Sequence, residues 1–190
     1  EAWPQALNAD ELHDALVLLG FATAQEGAPW RDHFERLRVD GRVTTVEIPG
    51  GGTVWVAAER LAEIRLALPG AVAADELTPL ASDVADRDSA LRELVRSRFE
   101  ALGPVTAETL ARPFGLPAAE ILPALAALEQ QGAAMRGQFT ARAGGAAAAE
   151  EWCERRLLAR IHRLTVATLR KQIEPVTAAQ FMNWLLRWQH

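Results

Sequence analysis

One order of elements occurs twice in this chain, and it limits the possible folds more than any other feature. In each occurrence a capped helical stripe gives way to a longer one, a polar residue and a glycine end the helix, and β-type residues follow. The breaks are Asp40-Gly41 and Gln131-Gly132. Glycine stops a helix there because it takes the left-handed conformation without a Cβ penalty. After the first break two alternating runs, Val43 to Ile48 and Thr53 to Ala57, flank Pro49-Gly50-Gly51-Gly52, which is the pattern of a β-hairpin. The helix ahead of it, from about Pro29 to Val39, places Trp30, Phe34 and Leu37 on one face. Further upstream, Asn8-Ala9-Asp10-Glu11 is a capping box opening a stripe of Leu12, Leu16 and Leu19 that ends at Gly20. A helix from Ala58 to Leu68 follows the hairpin and stops at Pro69-Gly70.

The second occurrence begins near Asp88 or Ser89, with Leu91, Leu94, Val95 and Phe99 inward, and stops at Gly103-Pro104. Thr106 caps a short helix, Ala107 to Arg112. After Phe114-Gly115-Leu116, Pro117 opens a helix with Ile121, Leu122, Leu125 and Leu128 as its core face. Ala133 to Ala141 reads as a strand, ahead of a flexible Gly144 to Ala149 stretch. Helix, short helix, turn, helix and strands in that order describe a winged helix-turn-helix. The expected fold is therefore mainly α with small β wings (α+β): tandem winged helix-turn-helix units followed by a C-terminal helical pair. The expected boundaries are a first unit over 1–70 lacking its leading helix, a linker over 71–86, a second unit over 87–148 and a helical pair over 149–190. In that pair Glu151 to Ile173 reads as one long helix. Thr177-Ala178-Ala179-Gln180 caps a second, whose stripe is Phe181, Trp184, Leu185 and Trp188.

Composition excludes several functions. Of 20 basic residues 19 are arginine, and Lys171, the single lysine, sits in Arg170-Lys171-Gln172. A P-loop needs its lysine beside a glycine-rich turn, so this chain binds no nucleotide by that route. The single cysteine, Cys153, excludes an internal disulfide framework. No apolar run reaches the roughly 18 residues of a membrane span, and no secretory signal opens the chain, so a cytoplasmic setting without membrane partners is expected. A start at Glu1 and an end at His190 directly after a helical pattern suggest a piece of a longer protein.

The formal net charge of −5 hides an uneven distribution. Residues 142–190 carry eight basic residues against four acids, leaving −9 on the other 141 residues. Arg156, Arg160, Arg163 and Arg170 are spaced to share one helix face, with Lys171 beside them. Guanidinium groups in such a row suit phosphate oxygens, because each donates two parallel hydrogen bonds. The competing reading of a charge run is a solvated face partly paired to glutamates.

Base reading is poorly served. The second helix-turn-helix offers Ala118, Ala119, Glu120, Pro123 and Ala124, and the first a mixed face of Arg31, Asp32, Glu35 and Arg38, where Arg, Asn, Gln or Lys would be useful. Pro123 should bend its helix or delay its start. The four histidines are scattered, which argues against zinc. Cys153, placed at a helix start, would have a lowered pKa, although a small buried thiol is the simpler reading. Gly50 to Gly52 lies between strands and is a wing tip, not a phosphate cradle. The six tryptophans suit burial in cores or domain interfaces, with Trp55 the best candidate for an exposed stacking residue on a wing.

The stretch Glu151-Trp152-Cys153-Glu154, through Arg155 to Arg163, Leu169-Arg170-Lys171-Gln172-Ile173-Glu174-Pro175-Val176 and on to Phe181, Leu185, Trp188 and Gln189, resembles the Lhr family of large bacterial helicase-related proteins. Gly103 to Ala107, Phe114-Gly115-Leu116 and the Gln131 to Phe139 strand resemble it too. The resemblance implies a tandem winged-helix region attached to an ATP-dependent 3'-to-5' DNA helicase of DNA repair. ATP and Mg would then belong to a helicase core, with no cofactor in this chain. Some long members are similar, in their C-terminal parts, to winged-helix DNA glycosylases. The catalytic carboxylate or glutamine pair of such an enzyme has no evident place here, Gln130-Gln131 lying at a helix end.

Three functions are thus open. The first is an accessory DNA-binding region gripping phosphates through Arg156, Arg160, Arg163, Arg170 and Lys171, on single-stranded or duplex DNA without sequence preference. The second is a packing module for other helicase domains or for copies of itself, and the third is part of a glycosylase-like region.

Overall fold

A computed structural model describes residues 3–78, 80, 84–140, 149–173 and 175–189. They form two compact units, Glu1–Leu158 and Ala159–His190.

The first unit opens with α1 (Ala9–Leu19), where Asn8 accepts from the Glu11 N–H and Gly20 turns the chain at φ 79°. Strand β1 (Ala22–Thr23) follows, then α2 (Ala24–Gly27), a 3-10 turn at Ala28–Trp30 and α3 (Arg31–Val39). Thr23 and Glu26 close a complete capping box at α2. Hairpin strands β2 (Val43–Ile48) and β3 (Gly52–Ala57) pair in antiparallel register, Val43 opposite Ala57 and Ile48 opposite Gly52. Next come α4 (Ala58–Ala67) and β4 (Val72–Ala73). The sheet order is β1-β3-β2-β4.

The same order then recurs. Helix α5 (Arg87–Ala101) is capped by Asp86, α6 (Ala107–Ala111) by Thr106. A second 3-10 turn, Arg112–Phe114, leads through Gly115 (φ 63°) to α7 (Ala118–Gln130). Strand β5 (Ala134–Gly137) pairs with β6 (Glu151–Glu154), and Val105 bridges to Trp152 as Ala22 pairs with Trp55 in the first half. The two glycines expected to end the longer helices, Gly41 and Gly132, both have positive φ.

Strand β3 explains why these halves form one body. Its Val54 and Val56 join Val46 and Ile48 in a core with Leu61, Leu94, Phe99, Phe114, Leu125 and Trp152. Trp55 and Ala57, on its other face, join Leu12, Leu16, Trp30, Phe34 and Leu37. Alternation along one strand thus feeds two cores. Across the halves Phe21 meets Phe114 edge to face at 5.1 Å. Arg98 of α5, only 2% exposed, donates to the Phe21 carbonyl at 3.1 Å and to Glu26 at 2.6 Å.

The structure departs from the sequence reading in several places. In the first half α1 stands ahead of α2 and α3 as α5 stands ahead of α6 and α7 in the second, and the residues between Gly20 and Pro29, given no element by the sequence reading, form β1 and α2. The expected linker returns to the sheet at β4, and Asp75 is held there by Arg38 and Thr44. Residues 151–154 are a strand rather than a first helical turn, because their backbone completes the ladder with β5. The glycine- and alanine-rich stretch falls largely outside the described residues. Helix α7 runs through Pro123 without a delayed start.

The second unit holds most of α8 (Arg155–Gln172) and α9 (Ala178–Trp188). Thr177 and Gln180 complete the expected capping box of α9. Neither helix has a buried residue. Among the described residues no helix is long and apolar enough to cross a membrane.

Candidate nucleic-acid interface

Helix α8 contains Arg155, Arg156, Arg160, Arg163, Arg170 and Lys171, and no acid in its 18 residues. At about 100° per residue, Arg156, Arg160, Arg163, Arg170 and Lys171 fall within an arc of about 100°. Leu158 and Ile161 lie on the far side, Leu157 flanks the row, and all three are half-buried. All five cations are exposed. Among the described residues no carboxylate lies within ion-pair distance of Arg156, Arg163, Arg170 or Lys171. Glu154, just ahead of the helix, instead accepts the Leu157 N–H at 2.6 Å. The structure therefore gathers all the residues expected to meet phosphate on one helix face.

The arginines of the first unit are mostly committed elsewhere. Arg38 makes a two-pronged contact to Asp75, at 2.8 and 3.1 Å. Hydrogen bonding from Arg38, reinforced by Thr44, holds the Asp75 carboxyl below its ordinary range against the effect of burial. Arg87 donates to Glu120 at 2.7 Å across a cleft of about 420 Å3 that is also lined by Leu91, Arg92, Pro123 and Ala124. Glu120 is thereby occupied, which weakens it further as a base-reading residue.

The hairpin residue offered for stacking on bases, Trp55, is not available. Trp55 is 5% exposed and stacks on Phe34 at 4.1 Å. The turn at Gly50 to Gly52 lies against the turn after α6: a Cβ on Gly51 would come within 2.5 Å of the Pro113 carbonyl oxygen. The tip of the β2–β3 hairpin is thus an internal contact, and glycine is needed at Gly51 and Gly115 for two backbones to approach so closely.

Cys153 sits on β6 with no exposed surface. Burial, with Glu154 and Glu151 nearby, pushes its thiol up to about 11. The buried-thiol reading fits, and the competing reading of a thiol lowered at a helix start does not, because Cys153 lies on β6 ahead of α8. Glu63, between α4 and α5, is also pushed up by burial, more than Arg60 at 3.0 Å pulls it down. Among the described residues no group of His, Cys, Asp and Glu gathers to hold a metal ion. Lys171 lies on α8 within Arg170-Lys171-Gln172, a helical setting and not the glycine-rich turn from which a P-loop lysine reaches phosphate.

One feature escaped the spacing argument. Trp184 and Trp188 were expected to be covered, yet 57% and 71% of their surface is exposed. No local signal in the sequence separates the two outcomes, since the same apolar stripe suits a covered or an uncovered helix face.

Over 198 aligned residues the chain is 30% identical to a protein of Mycolicibacterium smegmatis described as "Lhr helicase/ probable uracil glycosylase". The alignment takes in 97% of this chain and only 12% of that relative. Residues 4–161, which include both halves of the first unit, match the family described as DNA glycosylase AlkZ-like. The likeness to Lhr proteins expected from the C-terminal string is therefore real but partial, and the glycosylase likeness covers the body of the chain. On that match, the chain belongs to the AlkZ-like DNA glycosylase family.

Proposed function

We propose that this chain is the DNA-contacting part of a larger Lhr-type DNA repair protein, gripping the phosphate backbone through α8 without reading sequence. The observation that carries this is the acid-free row of Arg156, Arg160, Arg163, Arg170 and Lys171 on one exposed face. Family membership supports DNA as the polyanion. The weak base-reading faces of α3 and α7 support backbone contact over operator recognition.

In this reading the two halves of the first unit are winged-helix units. Each runs leading helix, short strand or bridge, second helix, third helix and two-stranded wing. What supports this is the recurring order, with Thr23 and Thr106 as equivalent caps and Ala22–Trp55 and Val105–Trp152 as equivalent pairings. The first wing is packed internally, so the helical pair, rather than that wing, meets DNA. ATP and Mg act in a helicase core outside these residues.

The test is binding of labelled oligonucleotides, single-stranded and duplex, at several salt concentrations. Five phosphate contacts give a slope of log K against log salt of about −3.5 on single strands, at roughly 0.7 per contact. Absence of binding tighter than about 100 μM at low salt overturns the reading.

A second reading, base excision by this chain itself, is favoured by the family match. Release of free base from uracil- or alkyl-containing DNA by the purified chain establishes it, and no release leaves the chain with a binding role. As a packing module the chain would self-associate or dock other helicase domains, and light scattering tests the first of these.

A further inference from the structure

Helix α9 presents three aromatic rings in file. Phe181, Trp184 and Trp188 are exposed by 50%, 57% and 71%. Successive centroids are 6.0 Å apart in both pairs, at interplanar angles of 28° and 8°. The i, i+3, i+7 spacing aligns them along one face, and the capping box at Thr177 and Gln180 fixes the helix start. Large apolar side chains left in water over so wide an area mark a recognition surface.

Charge decides what that surface recognises. Neither α8 nor α9 contains an acid, and together they carry seven cations, with Arg187 between Trp184 and Trp188 in sequence. The buried centre of a protein–protein interface is depleted of charge, and cations are matched by acids across its rim. Single-stranded nucleic acid instead needs ring faces for its bases and cations for its backbone, and any base stacks on an aromatic face. Duplex DNA offers no free base faces.

We propose that Phe181, Trp184 and Trp188 form a stacking platform for the bases of single-stranded DNA. The α8 cations hold the phosphates and the α9 rings select unpaired strands. This proposal rests on DNA contact through α8, and its test separates the two.

The experiment compares the full chain with the Trp184→Ala/Trp188→Ala double variant, using a fluorescein-labelled oligo-dT and a hairpin duplex across a salt series. The expected result is a loss of at least about tenfold in oligo-dT affinity, with duplex affinity and both salt slopes unchanged. Trp184→Phe/Trp188→Phe, which keeps ring faces, should restore most of the binding. Unchanged oligo-dT affinity in the alanine variant overturns the platform while leaving the α8 reading intact, and so does an equal loss on both DNAs. No binding by the unaltered chain overturns both. Should light scattering show self-association that the alanine variant abolishes with oligo-dT affinity unaffected, the rings are an interface between copies and the proposal falls. Circular dichroism of each variant confirms that α9 is retained, and the phenylalanine variant alone decides if the alanine variant loses its helicity.

Discussion

Gly51 and Gly115 meet backbone to backbone, a Cβ on Gly51 having only 2.8 Å to the Gly115 nitrogen and one on Gly115 only 2.9 Å to the Gly51 nitrogen. The contact ties the tip of the β2–β3 hairpin to the turn that launches α7. Gly115 also sits at φ 63°, where side chains are disfavoured. A Gly115→Ala substitution therefore combines backbone strain with a steric clash. It should cost about 3 kcal/mol and lower the melting temperature by about 6 to 12 °C, at roughly 2 to 4 °C per kcal/mol for a unit of this size. Calorimetry on the pair reads this directly, and Gly41→Ala, with nothing within 4 Å of the added carbon, is the control for φ alone.

The Arg98–Glu26 pair gives a pH signature. Burial raises the Glu26 carboxyl, but the hydrogen bond and charge of Arg98, with help from Thr23, more than reverse this and leave it below 4.5. The pair's contribution is therefore complete above about pH 4.5 and fades as pH falls through the lowered value. Arg98→Met strands a half-buried carboxylate and should cost about 3 kcal/mol at pH 7, with the gap to the unaltered protein narrowing at pH 3. Urea unfolding at both pH values measures it, and a gap of constant size would assign the loss to packing alone.

Cys153, buried with its thiol pushed up to about 11, should resist alkylation in the folded state. At pH 8 iodoacetamide should leave it unmodified over hours and label it within minutes in denaturant. Mass spectrometry of the two samples reads the outcome, and rapid labelling of folded protein would place β6 at the surface.

For the α8 face, Arg163→Ala should weaken single-stranded and duplex DNA alike and reduce the magnitude of the salt slope by about one. Thermal stability should change by less than about 0.5 kcal/mol, since the side chain is exposed. A fall in stability without a change in slope would make Arg163 structural.

Local signals made much of this fold legible in the sequence. Asn8, Thr106 and Thr177 each cap a helix as their side chains predict, and Gly41 and Gly132 end two helices by the expected positive φ. The α8 cations were readable for the same reason, since spacing along one helix needs no tertiary information. Thr23-Ala24-Gln25-Glu26 carries an equally clear capping signal, and it opens α2. What stayed hidden depends on distant partners. Glu151 to Glu154 continue an amphipathic pattern into α8, and only pairing with β5 makes them a strand. The packing of Gly51 on Gly115, and of Arg98 on Glu26, joins residues 64 and 72 positions apart, beyond the reach of any periodicity.

The two-faced strand β3 has a consequence for how such a protein can be divided or recombined. The repeating unit of this chain is not its folding unit, because Val54 and Val56 find their partners in the second half while Trp55 finds its own in the first. A cut in residues 71–86, the natural place to separate two repeats, would leave a sheet with one dry face turned to water. Either half moved alone into another protein would need a new surface to cover that face, so the pair should be inherited, expressed and unfolded as a single piece.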